Sequence, residues 1–238
     1  MNLAIDVGNT KTKIGFFKED QLESFKTFES LTDLNQFLDS KEIDNTIISS
    51  VNHQYEDIVI QITNLKNPVI LNNETPLPFK NHYKSKTIGL DRLAAVAGAQ
   101  IKFPDKNVLV VDLGTCITYE FLELGKMYQG GAISPGMNMR FKAMHNFTAR
   151  LPLVNPESME EWISNSTEGA MLSGVVHGIQ AEIDAYIQEV ESKYSPLTVI
   201  ITGGDAKFFE SKIKATIFAI PELVLMGLNA ILRYNVPV

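Results

Sequence analysis

Short runs of apolar residues that read as strands alternate along this 238-residue chain with longer runs that have helical spacing. Residues 3–6 (LAID) form one short run and residues 12–17 (TKIGFF) a second, with turn-forming residues between them. Residues 31–38 (LTDLNQFL) carry apolar positions at helical spacing, with Thr32 as candidate cap. The stretch 45–51 (NTIISSV) predicts a buried strand, residues 55–66 a helix, and residues 68–71 a further strand. Residues 72–86 are polar and contain proline, which predicts a long loop; in a compact domain that length usually marks a binding segment or disorder. The loop runs into GLDRLAAVAGAQ, whose alanine-rich body predicts a helix.

From residue 107 the order starts afresh. NVLVVDL and TCITYEFL predict a hairpin, and MYQGGAIS a further strand. Residues 166–194 predict one long helix with small and apolar residues on one face. LTVIITGGD reads as a strand ending in a glycine turn, and residues 221–232 as a closing helix with Pro221 at its start. The two halves echo one another. Asp6-x-Gly8 matches Asp112-x-Gly114, Thr12 matches Thr118, and TIISS from Thr46 is loosely repeated by VIITG from Val199. The same order in both halves favours a duplicated strand-hairpin-helix architecture. Its domains are expected at 1–104 and 105–238, divided near residues 103–106, where Pro104 interrupts the helix.

Composition narrows the partners. A hydrophobic content of 45% supports a substantial core, and a formal charge of −7 gives no general attraction to nucleic acid or an anionic membrane. The single cysteine, Cys116, cannot form an internal disulfide, and no zinc-ligand spacing occurs. No basic leader is read at the N-terminus, and no apolar run approaches the roughly 18 residues that span a bilayer. A cytoplasmic protein is therefore expected.

Candidate chemistry gathers at the repeated turns. A glycine after a strand brings backbone N–H groups close to a phosphate, and a carboxylate at the strand end can orient a divalent cation or its waters. Lys11 or Lys13 could add positive charge. An ordinary hairpin turn uses the same residue types, but two copies after two apolar strands weigh towards phosphate binding. Neither G-x-x-x-x-G-K-[ST] nor G-x-G-x-x-G occurs. Asp91-Arg92 reads either as a solvated helix start or as a carboxylate base beside a guanidinium suited to bidentate carboxylate binding. Thr167 is a helix cap with Glu168 just inside, or a ligand. GGAISPG can be plain strand, turn and helix punctuation, and ITGGD either a nucleotide contact or a strand cap. The four histidines are scattered, and His177, Met171 and Tyr186 read as packing residues. Trp162 is expected to cover an interdomain or loop surface.

DVGNTKTK, GLDR, DLGTCIT, GGAISPG, STEGAMLSG and ITGGD together resemble type III pantothenate kinase, a family of the acetate and sugar kinase/Hsp70/actin superfamily. The resemblance runs from Asp6 to ELVLMGLN near the C-terminus. It implies an α/β protein of two ribonuclease-H-like domains with ATP in the cleft between them. The implied reaction is phosphorylation of pantothenate to 4′-phosphopantothenate, the first step towards coenzyme A. Asp91 is then the implied base, and Tyr83, Gly89, Leu90, Asp91, Arg92 and Thr167 the implied pantothenate-binding residues. Asp6, Val7, Gly8, Asn9, Thr10, Lys11, Thr12, Lys13 and Thr115 are the implied ATP-binding residues. The resemblance further implies Mg²⁺ near Asp6 and a monovalent cation, K⁺ or NH₄⁺, at Asp112. A homodimer built mainly from the second domain is also implied, and Gly169, Ala170, Ser173, Gly174 and Gly178 would permit its close helix packing. Cys116 departs from the family pattern, which more often has alanine there. Rival readings are a nucleotide-binding regulator resembling the Bvg accessory factor and a superfamily relative that phosphorylates sugars or hydrolyses ATP or polyphosphate. The intact Asp91-Arg92 and both loops oppose the first, and the lack of a hydroxyl-reading motif opposes a sugar kinase.

Overall fold

The first apolar run is a central strand. In the computed structural model, which describes residues 1–8, 11–50, 62, 65–85, 87–157 and 161–236, β1 (Asn2–Val7) pairs antiparallel with β2 (Thr12–Lys18). β2 continues antiparallel into β3 (Gln21–Phe28), a mostly exposed strand whose mixed polarity hides it from pattern reading. α1 (Leu31–Leu38) follows, capped by the Ser30 hydroxyl, which accepts from the Asp33 N–H at 3.1 Å; Ser30, not Thr32, is the cap. β4 (Asn45–Ser50) lies parallel to β1, and β5 (Pro68–Ile70) parallel to β4. The sheet order is β3-β2-β1-β4-β5. The expected helix at 55–66 falls largely outside the described residues, as does residue 51 of the expected strand.

The described residues form two compact units. The first comprises residues 1–105, 124–129 and 222–238; the second comprises residues 106–123 and 130–221. In the first unit, Leu3, Ile5 and Val7 join Ile14, Phe16, Leu34 and Leu38 in one apolar cluster, so α1 covers that face of the sheet. Side chains alternate along a strand, which turns Asn2, Ala4 and Asp6 to the other face. There α2 (Leu90–Lys102) packs on α6 (Leu223–Asn235), and α6 touches β1, β2 and β4. Asn2 donates to the Asn229 side chain at 3.1 Å, consistent with that facing. The expected long loop at 72–86 contains a short strand, β6 (Lys80–Asn81), which pairs parallel with Met127 and Tyr128 at the opening of β9 (Met127–Pro135).

In the second unit β7 (Asn107–Leu113) pairs antiparallel with β8 (Cys116–Glu123) and parallel with β10 (Leu197–Thr202); β10 pairs parallel with β11 (Phe218–Ala219). Five of the six strands of the second sheet, in the order β9-β8-β7-β10-β11, reproduce the order of the first. Duplication read from two short phrases is thus a duplication of topology. α3 (Met137–Phe147) and α4 (Thr167–Tyr194) lay Met137, Phe141, Val175, Ile179, Ile183 and Ile187 on Leu109, Val111 and Tyr119. Met171 is core, and Tyr186 stacks on Tyr119 at 4.1 Å. α5 (Ala206–Phe209) is a single turn after β10.

Candidate active site

The first hairpin turn is closed by the Gly8 N–H donating to the Lys11 carbonyl at 3.2 Å. Val7 and the buried Thr12 face each other across it, and Asp6 lies opposite Lys13. Asn9 and Thr10 lie outside the described residues. Asp6 is half-buried at the strand end, and its carboxyl is pushed up to about 6. Burial is the main cause, followed by the negative charge of Asp91; Lys13 acts in the opposite direction. Asp6 therefore senses the charge of Asp91 inside the first unit. Lys11 is exposed and lies 3.9 Å from the Glu29 carboxylate.

Asp91 and Arg92 occupy the first turn of α2, with Gly89 as extended N-cap and Leu90 between. The Asp91 carboxylate accepts from the Arg92 N–H at 2.8 Å, so it folds back over the helix start, where the dipole favours it. A Cβ at Gly89 would collide with that carboxylate, so glycine here preserves its path. Arg92 is no solvated helix-start residue: it is 6% exposed. Its Nη1 donates to the Tyr83 hydroxyl and its Nη2 to the Tyr128 hydroxyl, each at 3.3 Å. The guanidinium also lies over the Tyr83 ring at 5.1 Å. Burying a guanidinium is costly unless its donors are matched, and two phenols supply part of that match.

In the second unit the shorter turn is closed by the Gly114 N–H donating to the Cys116 carbonyl at 3.0 Å. Here Asp112 lies opposite Thr118, whereas Asp6 lies opposite Lys13. Equal sequence spacing thus conceals a one-residue difference in turn length. Asp112 is half-buried, and Thr115 is exposed. Gly203 adopts φ +94° and lies so close to the Asp112 carboxylate and the Leu113 carbonyl that a side chain would overlap both. The Asp205 N–H donates to the Leu113 carbonyl at 2.8 Å, and burial raises the Asp205 carboxyl above its usual range. ITGGD therefore does more than cap β10, since it walls the Asp112 turn. Gly136, at the start of α3, lies against the Gly114 and Thr115 carbonyls and donates to Thr115 at 3.1 Å. Thr167 is the exposed first residue of α4, and the capping role belongs to Ser166, which accepts from the Gly169 N–H at 3.1 Å. Trp162 is 65% exposed and stacks on buried His177 at 4.3 Å.

Among residues that pattern reading passed over, Tyr128 is the clearest. Nothing in MYQGG marks it, because its partners come from the 79–92 segment through the β6 pairing.

Five strands in the same 3-2-1-4-5 order in each of two sheets, each with an acidic strand end running into a glycine turn, define a duplicated α/β fold. A putative 2-dehydro-3-deoxygalactonokinase from Sinorhizobium meliloti has a similar structure (TM-score 0.60, 14% identity, all of both chains covered). So has a putative Baf family transcriptional activator from Campylobacter jejuni (TM-score 0.63, 23% identity, 98% of each chain). Both likenesses speak for the fold alone. The sequence is more specific: the family model for type III pantothenate kinase matches residues 2–189. A type III pantothenate kinase from Cytophaga hutchinsonii is 43% identical, with 99% of this chain and 100% of that protein covered. The chain belongs to the type III pantothenate kinase family.

Proposed function

We propose that this protein transfers the γ-phosphate of ATP to the primary hydroxyl of pantothenate, giving 4′-phosphopantothenate and ADP, as the first step towards coenzyme A. Besides family membership, one observation carries the reading: the first turn of α2 holds a half-buried carboxylate, Asp91, beside a buried and hydrogen-bonded guanidinium, Arg92. Asp91 accepts the hydroxyl proton as the new O–P bond forms and the bond from Pγ to the bridging oxygen of ADP breaks. A largely dissociative transition state asks little basicity of Asp91, so position matters more than strength. Arg92 holds the acceptor, and its planar fork suits the pantothenate carboxylate. Tyr83, Gly89, Leu90 and Thr167 complete the acceptor site in this reading.

Val7, Gly8, Asn9, Thr10, Lys11, Thr12 and Lys13 are assigned to the ATP phosphates, with Thr115 from the second turn. The Asp6 carboxylate is an oxygen donor whose burial and like-charged neighbour disfavour ionisation, so a hard divalent cation would relieve it. Mg²⁺ fits there, directly or through its waters, and supplies charge neutralisation on the phosphates when bound. Asp112, beside the Leu113 carbonyl, offers the same oxygen chemistry for K⁺ or NH₄⁺. The halves 1–104 and 105–238 are taken as the duplicated domains in sequence order, with residues 124–129 and 222–238 packing into the first compact unit. A homodimer through the second domain is supported by the exposure of Phe147 (89%) and Ile163 (90%) there. Among the described residues no helix is long and apolar enough to cross a membrane, and the cytoplasm is the proposed compartment. The regulatory alternative is not favoured, because full-length relatives at this identity carry the kinase name.

The test is ADP release from ATP and Mg²⁺, with and without pantothenate, in potassium and in sodium buffer. Release should depend on pantothenate, be faster in potassium, and fall about 10²- to 10⁴-fold in Asp91→Asn. Release independent of pantothenate would overturn the assignment.

A further inference from the structure

We propose that Tyr128 is a positioning residue for the acceptor, holding the Arg92 guanidinium at the angle in which it meets its ligand. The proposal rests on the reading that Arg92 binds pantothenate. Tyr128 is wholly buried, and its hydroxyl accepts from Arg92 Nη2 at 3.3 Å. Tyr83 accepts from the other terminal nitrogen, Nη1, also at 3.3 Å. The two rings are stacked nearly parallel, with centroids 6.1 Å apart and planes 8° apart. A planar group gripped at both terminal nitrogens by two parallel phenols loses its freedom to rotate about the side-chain axis. The ring of Tyr128 is itself braced, since Phe79 meets it edge-on at 6.2 Å and 77°.

The backbone sets this geometry. Lys80 pairs with Met127 and Asn81 with Tyr128, and the His82 N–H donates to the Tyr128 carbonyl at 3.0 Å. The loop that carries Tyr83 is thereby laid beside the strand that carries Tyr128. Tyr83 is partly exposed and free to meet a ligand, whereas Tyr128 reaches Arg92 from the buried side. Tyr128 therefore acts through Arg92 and does not itself touch the acceptor.

Tyr128→Phe keeps the ring and deletes the one hydroxyl. The KM for pantothenate should rise about tenfold, the effect of losing one charge-assisted hydrogen bond, while kcat and the KM for ATP stay within about twofold. Phe79→Leu, which loosens the same ring but keeps the hydroxyl, should raise the pantothenate KM by less than Tyr128→Phe does. Arg92→Lys tests the underlying reading and should raise that KM at least as much. If Arg92→Lys raises it and Tyr128→Phe does not, Tyr128 has no positioning role and the Arg92 assignment stands. If neither variant moves it, the Arg92 assignment falls and the proposal with it. Insoluble Tyr128→Phe, a parallel loss of kcat and ATP affinity, or an equal effect from Phe79→Leu would make the role purely structural and overturn the proposal.

Discussion

Asp6, the proposed magnesium partner, carries a cost in stability. Its folded carboxyl is pushed up to about 6 against 3.8 for an ordinary aspartate, because the strand end desolvates it and the negative charge of Asp91 acts on it. The native state therefore binds the proton more tightly than the unfolded chain does. This contribution to stability is fully present below about pH 4 and is lost as pH rises through 6, by at most about 3 kcal/mol. Asp6→Asn, without ligands, should be more stable than the parent at pH 7.5 and should lack that decline between pH 4 and 6. Urea denaturation across the pH range checks both, and an unchanged pH profile would contradict the assigned cause. The same variant should lose most of its kinase activity. Which residues at this scale were legible follows from chemistry. Asp6, Gly8, Asp91 and Asp112 stand where a turn or helix start makes their type informative, whereas Tyr128 sits near the start of a mixed strand where no turn, cap or motif marks it.

At the scale of elements, the close approach of α2 and α6 depends on two glycines. A Cβ at Gly98 would run into the Leu223 carbonyl, and one at Gly227 into the carbonyl of Ala94. Alanine raises intrinsic helix propensity by about 1 kcal/mol, which alone would stabilise Gly227→Ala. Overpacking typically costs about 1–3 kcal/mol, and backbone contact leaves no flexible side chain to yield. Gly227→Ala should therefore melt lower by about 2–8 °C in a thermal scan; a rise would show that α6 can shift outward at no cost. Because α2 carries Asp91 and Arg92, a shift of α6 reaches the site through that packing. A second element-scale brace lies in the other unit. Arg140 of α3 meets Glu182 of α4 at 2.5 Å, and Glu182 also accepts from Tyr119 at 2.9 Å and Ser134 at 3.1 Å. α1, α2, α4 and α6 were legible from spacing and composition, but β3, β6 and β11 were not. They are short or polar, and only pairing with a neighbour makes them strands.

For the whole molecule, association is the property argued from surface. Along α4 the candidate small residues divide: Ser173 is buried and donates to the Trp162 carbonyl at 2.7 Å, while Gly169 abuts Ser164 and Ser166. Ala170, Gly174 and Gly178 instead recur every fourth residue, and Gly174 has open space around it. If that stripe meets its copy in the proposed homodimer, Gly174→Arg should shift the protein from dimer to monomer in light scattering, with the fold intact by circular dichroism. A dimer that survives the arginine would move the interface elsewhere. The sequence by itself determined the family, the two repeated turns and the order of most strands and helices, because these follow from local periodicity, turn chemistry and short motifs. Only the tertiary structure decided that residues 124–129 and 222–238 fold with the first unit, that Asp6 feels Asp91, and that Arg92 is buried between two tyrosines. Those facts depend on contacts between residues far apart in the chain, where burial and charge act through space and leave no periodic trace in the order of amino acids.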